Sequence, residues 1–569
     1  MASHSFSIQQ YRGNPMLFKD GEAVPPLFCW TRDPVWETCK DFYKVGYRYF
    51  SFFYSPQHYA APWWTGEGEY DFSRFDNVLT RFHEEFPDAF CIPRVFVCAP
   101  EWWLYKHPDE MCGFALGGPE RTNWQGGRQG TLHESFASEL WKKEEGEAFR
   151  TLLRHLKQAP YAECIMGIHI CNGITGEWHL WSPQHAPDTS LPMKRRFGRP
   201  IPPPDERTPE YQKCLHQATV DAISHFCGIV KEETDWLTCI FYGYTPDSVG
   251  GQWRIEGDHR AAGAFHRLQN VDMVSAPHSY LRRAPGGDAY FRNYPASLGR
   301  HGKLFLDEGD DRTWLNSMRE IERDTPANRE ESIQVLRREF GNMITHQIGM
   351  WYMDLRGGYF DDPELVRELG DLHACLNRYA GKLTGRNAEV AVIASVEGEF
   401  ALPQRGTEGN LDYNQLFDAQ IEALCKMGAP FDFFVSDDLD PEVMKQYKLV
   451  ILLDEAGLSA EEKNALEQVR GNTRTHTIVR PFENTCALRK LLQEAGIHIY
   501  SETDDVFQCS KNTLMLHAAS GGMKRIVFPG PVQVTELPEE KVLGLVREME
   551  VSMKKGETKL YYYEFKKEN

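Results

Sequence analysis

Long apolar runs are missing from this chain: nowhere do 18 or more apolar residues follow one another, so no membrane-spanning helix is expected. The stretch from Met1 to Lys19 has no apolar core of signal-peptide length, and the expectation is a cytoplasmic protein. Basic residues are in short supply, 63 Lys and Arg against 82 Asp and Glu, for a formal charge of -19. No run of Lys and Arg is interleaved with aromatics. Such a surface repels phosphate, which argues against nucleic acid or an anionic membrane as partner. The 14 cysteines include no C-x-x-C pair, so neither a structural zinc nor a disulfide framework is expected. Several, such as Cys91, Cys98 and Cys171, sit inside apolar runs as small buried hydrophobes do.

What is present is enough apolar material for several cores: 569 residues, 41% hydrophobic and 12% aromatic. The length suggests three or four units, or one large barrel with smaller additions. From Pro26 to Leu355 short apolar runs alternate with longer amphipathic segments. The eight runs are Leu27 to Trp30, Tyr47 to Tyr54, Phe90 to Val97, Ile165 to Cys171, Leu237 to Tyr244, Val271 to Ser275, Lys303 to Asp307 and Gly349 to Asp354. That pattern predicts a (β/α)8 TIM barrel over residues 1–385. Thr208-Pro209 and Thr325-Pro326 each place a capping hydroxyl before a proline at a helix start. The long stretches Glu101 to Glu139 and Trp178 to Arg207 follow the third and fourth strands, where barrel loops build active sites.

The pattern restarts at about residue 386 as a second α/β unit, flavodoxin-like, spanning 386–506. Strands are expected at Glu389 to Ser395, Phe431 to Val435, Leu449 to Leu453, Thr475 to Val479 and Ile497 to Tyr500, with a capping box at Ser459 and Glu462. The turn Val396-Glu397-Gly398-Glu399-Phe400 lacks the glycine-rich or hydroxyl-rich loop that would cradle a phosphate, so no flavin or dinucleotide is expected. Short β-like segments at Leu514 to His517, Arg525 to Phe528, Val532 to Thr535 and Lys559 to Phe565 mark a small β domain over 507–569.

In a TIM barrel the chemistry sits at the carboxyl ends of the strands. Glu177 follows the fourth strand and Glu308 ends the seventh, on opposite sides of an eight-membered ring, as a pair of carboxyl groups flanking one bond would be. Either alone is more often a salt-bridge partner than a catalyst; their joint placement is what counts. Asp307 and Glu308 are consecutive in a strand and point to opposite sides, so only one enters the mouth. Glu308 is the choice, with Asp307 and Asp310 as rivals. Trp30, Trp63, Trp64, Trp102, Trp103, Trp178, Trp181, Tyr244, Tyr280 and Trp351 fall at or just past strand ends, where aromatic faces can stack on sugar rings or simply fill the core. Tyr280 is placed to donate a hydrogen bond to the nucleophile, and His179 and His278 to contact sugar hydroxyls.

The segments Gly176-Glu177-Trp178, Phe241-Tyr242-Gly243-Tyr244, Pro285-Gly286-Gly287, Gly302-Lys303 through Arg312-Thr313, and Trp351-Tyr352-Met353-Asp354 resemble the barrel of glycoside hydrolase clan A. The whole chain is most similar to the family 42 β-galactosidases and their uncharacterised relatives, which share the order of barrel, flavodoxin-like domain and short β domain. The resemblance implies a retaining double displacement, Glu177 as acid/base and Glu308 as nucleophile, with carboxyl groups about 5 to 5.5 Å apart where inversion would need about 6.5 to 9.5 Å. It also implies a trimer built through the middle domain. Glu177 should have a raised pKa and Glu308 a low one. Substrate contacts are expected from Asn172, Trp178, Tyr244, His278, Tyr280, Trp351, Trp30 and Trp102. No cofactor is expected and no metal, the four-cysteine zinc cluster of some relatives being absent. One departure stands out: clan A enzymes usually carry Asn immediately before the acid/base, and here Gly176 precedes Glu177 while Asn172 lies five positions upstream. The expected activity is an exo-acting β-galactosidase. The alternatives are a β-mannosidase or β-glucosidase of the same clan, a catalytically silent carbohydrate-binding protein, and a flavin-dependent redox protein.

Overall fold

Strands buried on both faces read as nearly unbroken apolar runs, and that is why eight segments of this sequence close into a ring. In the computed structural model the described residues are 4–32, 34–53, 63–112, 133–173, 176–179, 188–202, 208–244, 259–316, 324–395, 413–453, 455, 457–478 and 484–566. The chain opens with an antiparallel sheet of β1 (Phe6–Tyr11), β2 (Asn14–Lys19) and β3 (Glu22–Val24). The barrel strands are β4 (Leu27–Thr31), β5 (Tyr49–Phe53), β8 (Phe90–Phe96), β9 (Gly167–Cys171), β10 (Leu237–Phe241), β11 (Met273–Pro277), β12 (Leu304–Gly309) and β13 (Gly349–Asp354), a small hairpin of β6 (Trp64–Gly66) and β7 (Glu69–Tyr70) lying after the second. They form a closed, all-parallel barrel in chain order, with β13 pairing back onto β4. Every residue of β4, β8 to β13 is buried. The eight predicted runs are these eight strands.

Two helices show how local chemistry sets the crossovers. Thr208 Oγ1 accepts from the Tyr211 amide and Pro209 occupies the first position of the Pro209–Glu233 helix, as predicted. The Arg329–His346 helix is capped instead by Asn328, whose side chain accepts from the Glu331 amide, so Thr325-Pro326 is not its cap. The amino-terminal sheet was not foreseen. Its turns carry Arg12-Gly13 and Asp20-Gly21, all four with positive φ, the conformation of a two-residue hairpin loop.

The second unit is a parallel sheet in the order β15 (Phe431–Val435), β14 (Val390–Ala394), β16 (Leu449–Leu452), β17 (Arg474–Thr477). The capping box of Ser459 and Glu462 opens the Ala460–Asn472 helix. Residues Ile497 to Tyr500, expected as a strand, do not join the sheet; they form the extended link toward the last unit, where Tyr500 accepts from the Val527 amide. The predicted turn Val396 to Phe400 lies outside the described residues, as does Trp181. The last unit is an antiparallel sheet ordered β18 (Val506–Cys509), β19 (Thr513–His517), β22 (Thr558–Phe565), β20 (Gly522–Leu537), β21 (Lys541–Met553). The two short runs expected at Arg525 and Val532 are one strand with a register shift between Val527 and Val532. This sheet packs on the barrel's Arg329–His346 helix, Thr558 donating from its amide to Gln334 Oε1 at 2.7 Å and from its hydroxyl to the Gln334 carbonyl at 2.6 Å.

Candidate active site

The backbone after β9 folds back on itself at once. The Gly176 amide donates to the Gly173 carbonyl at 3.1 Å and the Trp178 amide to the Asn172 carbonyl at 2.7 Å, so Glu177 forms a one-residue parallel bridge beside Asn172. Gly176 has φ +82°, and a Cβ there would lie 2.9 Å from the Phe96 ring and 3.0 Å from Cys171 Cβ. Asparagine at this position would clash, which gives the departure from the clan pattern a steric cause. Trp178 itself sits at φ 58°, a strained conformation for a large side chain, and such strain clusters at functional turns.

Glu308 ends β12 across from Trp351 of β13 and is 4% exposed. It shares the mouth's field with Glu177, Tyr244, Tyr280, Arg94 and Asp310. Burial first, then the charges of Asp310 and Glu177, push the Glu308 carboxyl up to about 8, while Arg94 and Arg283 oppose the rise. The expectation of a low pKa for Glu308 does not hold in this surround, where burial and two neighbouring carboxylates favour its neutral form. Burial, Glu177 and Glu308 likewise raise the Tyr244 phenol.

Asp307 goes the other way. Its carboxylate meets His278 and Glu339 of the Arg329–His346 helix, outside the ring, as strand alternation requires.

Of the predicted substrate contacts, the structure brings some to the mouth and spends others. Tyr244 is at the end of β10, 7% exposed, its hydroxyl without a hydrogen-bond partner. Trp351 is fully buried beneath the mouth against His169 and Phe241, with its indole N–H unpartnered. Trp30 is buried in the same interior layer, with the Arg94 guanidinium 5.1 Å from its ring centroid. Trp102, half-buried in the Glu101–Lys106 helix, donates to the Trp64 carbonyl at 3.1 Å and meets the Trp64 ring edge-on.

Four expectations need correction. Asn172 is buried with its amide committed, Nδ2 donating to the Val97 carbonyl at 3.1 Å and to Glu134 Oε1 at 2.7 Å while Oδ1 accepts from the Gly173 amide. It holds the turn, and both of its amide hydrogens are already spent. Trp178 is fully buried, donates to the Ile170 carbonyl at 3.0 Å and packs on Phe136, a core role. His278 is fully buried, its ring nitrogens facing Asp307, Asp311 and Glu339 rather than the barrel mouth. Tyr280 donates to Asp310 Oδ2 at 3.1 Å rather than to Glu308.

Sequence reading missed Arg94, whose signal was plain: a lone charge inside the apolar run Cys91 to Val97. It is 2% exposed and lies 4.5 Å from the Phe241 ring centroid. His259 was missed as well; it stacks on His179 at 4.2 Å and on Tyr242 at 4.4 Å, lining the β9 and β10 side of the site.

The class defined by this architecture is a TIM barrel with an appended parallel α/β sheet and a β domain, carrying a pair of carboxyl groups at the mouth. It is the fold of family 42 β-galactosidases. The chain is similar to Gan42B, a GH42 β-galactosidase from G. stearothermophilus, at TM-score 0.63 and 11% identity, covering 98% of this chain and 99% of that one. It is similar to the β-galactosidase of Bacillus circulans sp. alkalophilus at TM-score 0.62 and 13% identity, over 95% and 99%. An α-L-fucosidase isoenzyme 2 from Paenibacillus thiaminolyticus matches at TM-score 0.57 and 11% identity, over 96% and 100%. No family model and no curated protein matches the sequence.

Proposed function

We propose that this protein is an exo-acting retaining β-glycosidase that removes terminal β-galactosyl groups from short oligosaccharides or glycosides. Glu177 protonates the departing oxygen, Glu308 attacks the anomeric carbon, and Glu177 then activates the water that releases the sugar. The observation that carries this reading is the placement of Glu177 after the fourth barrel strand and of the buried Glu308 at the end of the seventh, near enough for the charge of one to act on the other. The first step needs the proton on Glu177 and an ionised Glu308, and the positive charge developing on the sugar favours that distribution. Tyr244, Trp351, Trp30 and Trp102 supply the aromatic surround. Arg94 and Arg283 are positive charges that favour an ionised Glu308.

A panel of nitrophenyl β-D-galactoside, β-D-mannoside, β-D-glucoside, β-D-fucoside and α-L-arabinoside, with Glu308→Gln as control, tests it. Release from the galactoside that disappears in the variant is the expected result. Turnover of the mannoside or glucoside instead would move the reading to a sister specificity, and silence throughout would favour a carbohydrate-binding protein. The fucosidase neighbour adds nitrophenyl α-L-fucoside to the panel, since L-fucose shares the galactose hydroxyl pattern in mirror image. A cytoplasmic trimer belongs to the same reading; light scattering that returned a monomer would remove the trimer.

A further inference from the structure

Behind β11 and β12, on the helix side of the barrel, His278, Asp307 and Glu339 each offer one ligand atom, all within 4.8 Å of one another. Their side chains are 0%, 1% and 1% exposed. His278 Nδ1 lies 3.2 Å from Glu339 Oε2 and 3.5 Å from Asp307 Oδ2. Asp307 and Glu339 both turn a carboxylate oxygen toward His278 Nδ1, and neither of those oxygens has another hydrogen-bond donor. One imidazole nitrogen can satisfy at most one of them, so the converging pair has room for a further positive partner.

We propose that His278, Asp307 and Glu339 form a binding site for a divalent transition-metal cation of the zinc class, separate from the catalytic mouth. Tetrahedral bonds of about 2.0 to 2.1 Å set donor atoms about 3.3 Å apart, and the two separations from His278 Nδ1 bracket that value. One imidazole with two carboxylates suits zinc better than magnesium or calcium, which prefer all-oxygen shells. Asp307, with both oxygens unclaimed, can bind through one or both.

The surrounding groups are those a metal site uses to orient its ligands. Asp311 Oδ2 lies 3.0 Å from His278 Nε2, on the ring edge away from the ligands, and so favours the tautomer whose Nδ1 lone pair faces them. Arg338 Nε donates to Glu339 Oε1 at 2.7 Å and leaves Oε2 directed at His278. The ligands come from the end of β11, from β12 and from the Arg329–His346 helix, so no local spacing motif shows the site, and an ion there would tie both strand ends to that helix.

The test uses the full-length protein, stripped with dipicolinate, desalted, titrated with zinc chloride and passed through gel filtration before bound metal is counted. The expected result is one equivalent of zinc on the wild type, with affinity at least about 100-fold weaker in Asp307→Asn and His278→Gln. Circular dichroism checks that both variants are folded. If they are not, X-ray absorption at the zinc edge of the wild type decides. A shell of one imidazole and oxygen donors supports the site, whereas sulfur or several imidazoles would put the ion elsewhere and overturn it. Failure of the wild type to retain zinc, or undiminished uptake by both folded variants, overturns it equally.

Discussion

The two sides of strand β12 teach more about this protein than either does alone. Asp307 and Glu308 are adjacent, equally buried and chemically alike, yet the pleat sends one to the helix layer and the other to the barrel mouth. On the helix side Asp307 meets His278 and Glu339 in a buried cluster of charged groups. On the inner side Glu308 meets Glu177, the Tyr244 hydroxyl and a face of indole and phenol rings. The face a carboxylate occupies therefore sets its neighbours: one side meets a helix and its charged groups, the other the ring's interior and a second carboxyl group.

This contrast is open to attack by mutation. The largest expected effect is on the inner face: Glu308→Gln should lower kcat on an aryl β-galactoside by about 10⁴-fold or more, with the thermal midpoint unchanged or raised. Glu177→Gln comes next, with a loss of about 10² to 10⁴-fold that is greatest for substrates with poor leaving groups. A series of aryl glycosides of graded leaving-group pKa checks that dependence. On the outer face Asp307→Asn should cost about 3 kcal/mol of stability, because it unbalances a buried charged cluster, and should change kcat far less than Glu308→Gln does. Denaturant midpoints measured beside kcat separate the two effects. An Asp307→Asn variant that keeps full stability and loses all turnover would erase the distinction between the faces.

The smallest effect is that of pH on stability. Burial lowers the imidazole of His346, in the same outer helix, to about 4, and that of His373 likewise to about 4. Their folded pKa values lie below the unfolded value of about 6.5, so the neutral forms belong to the folded state. The stability they protect is fully present above about pH 6.5 and is lost as pH falls toward 4, by up to about 3 kcal/mol for a fully buried ring. Urea midpoints at pH 7.5, 6, 5 and 4.5 should fall progressively, and His346→Gln should flatten the curve.

Much of this was legible in the chain. Continuous apolar runs announced all eight barrel strands because both faces of each are covered, and strand alternation separated Asp307 from Glu308 without coordinates. The capping signals of Thr208 and Ser459 were accurate because they depend on a few adjacent residues. Thr325-Pro326 failed for an equally local reason: Asn328, three residues on, supplies the cap. What the chain did not disclose depends on partners distant in sequence. Asn172 looks like a sugar contact until Val97 and Glu134 are seen to consume its amide. Tyr280 looks aimed at the nucleophile until Asp310 accepts its proton. His278 looks like a mouth residue until a helix some sixty positions later brings Glu339 against it. Arg94 was visible all along as a charge in an apolar strand, and its meaning came only with the ring that surrounds it.

The account rests on Glu308 being the nucleophile. Incubation with a 2-deoxy-2-fluoro-β-D-galactoside bearing a dinitrophenyl leaving group traps the glycosyl-enzyme, and peptide mass mapping reads the labelled residue. The label is predicted on Glu308, with none in Glu308→Gln. A label on Asp307 or Asp310, or release of dinitrophenol with no covalent label at any time point, would contradict it.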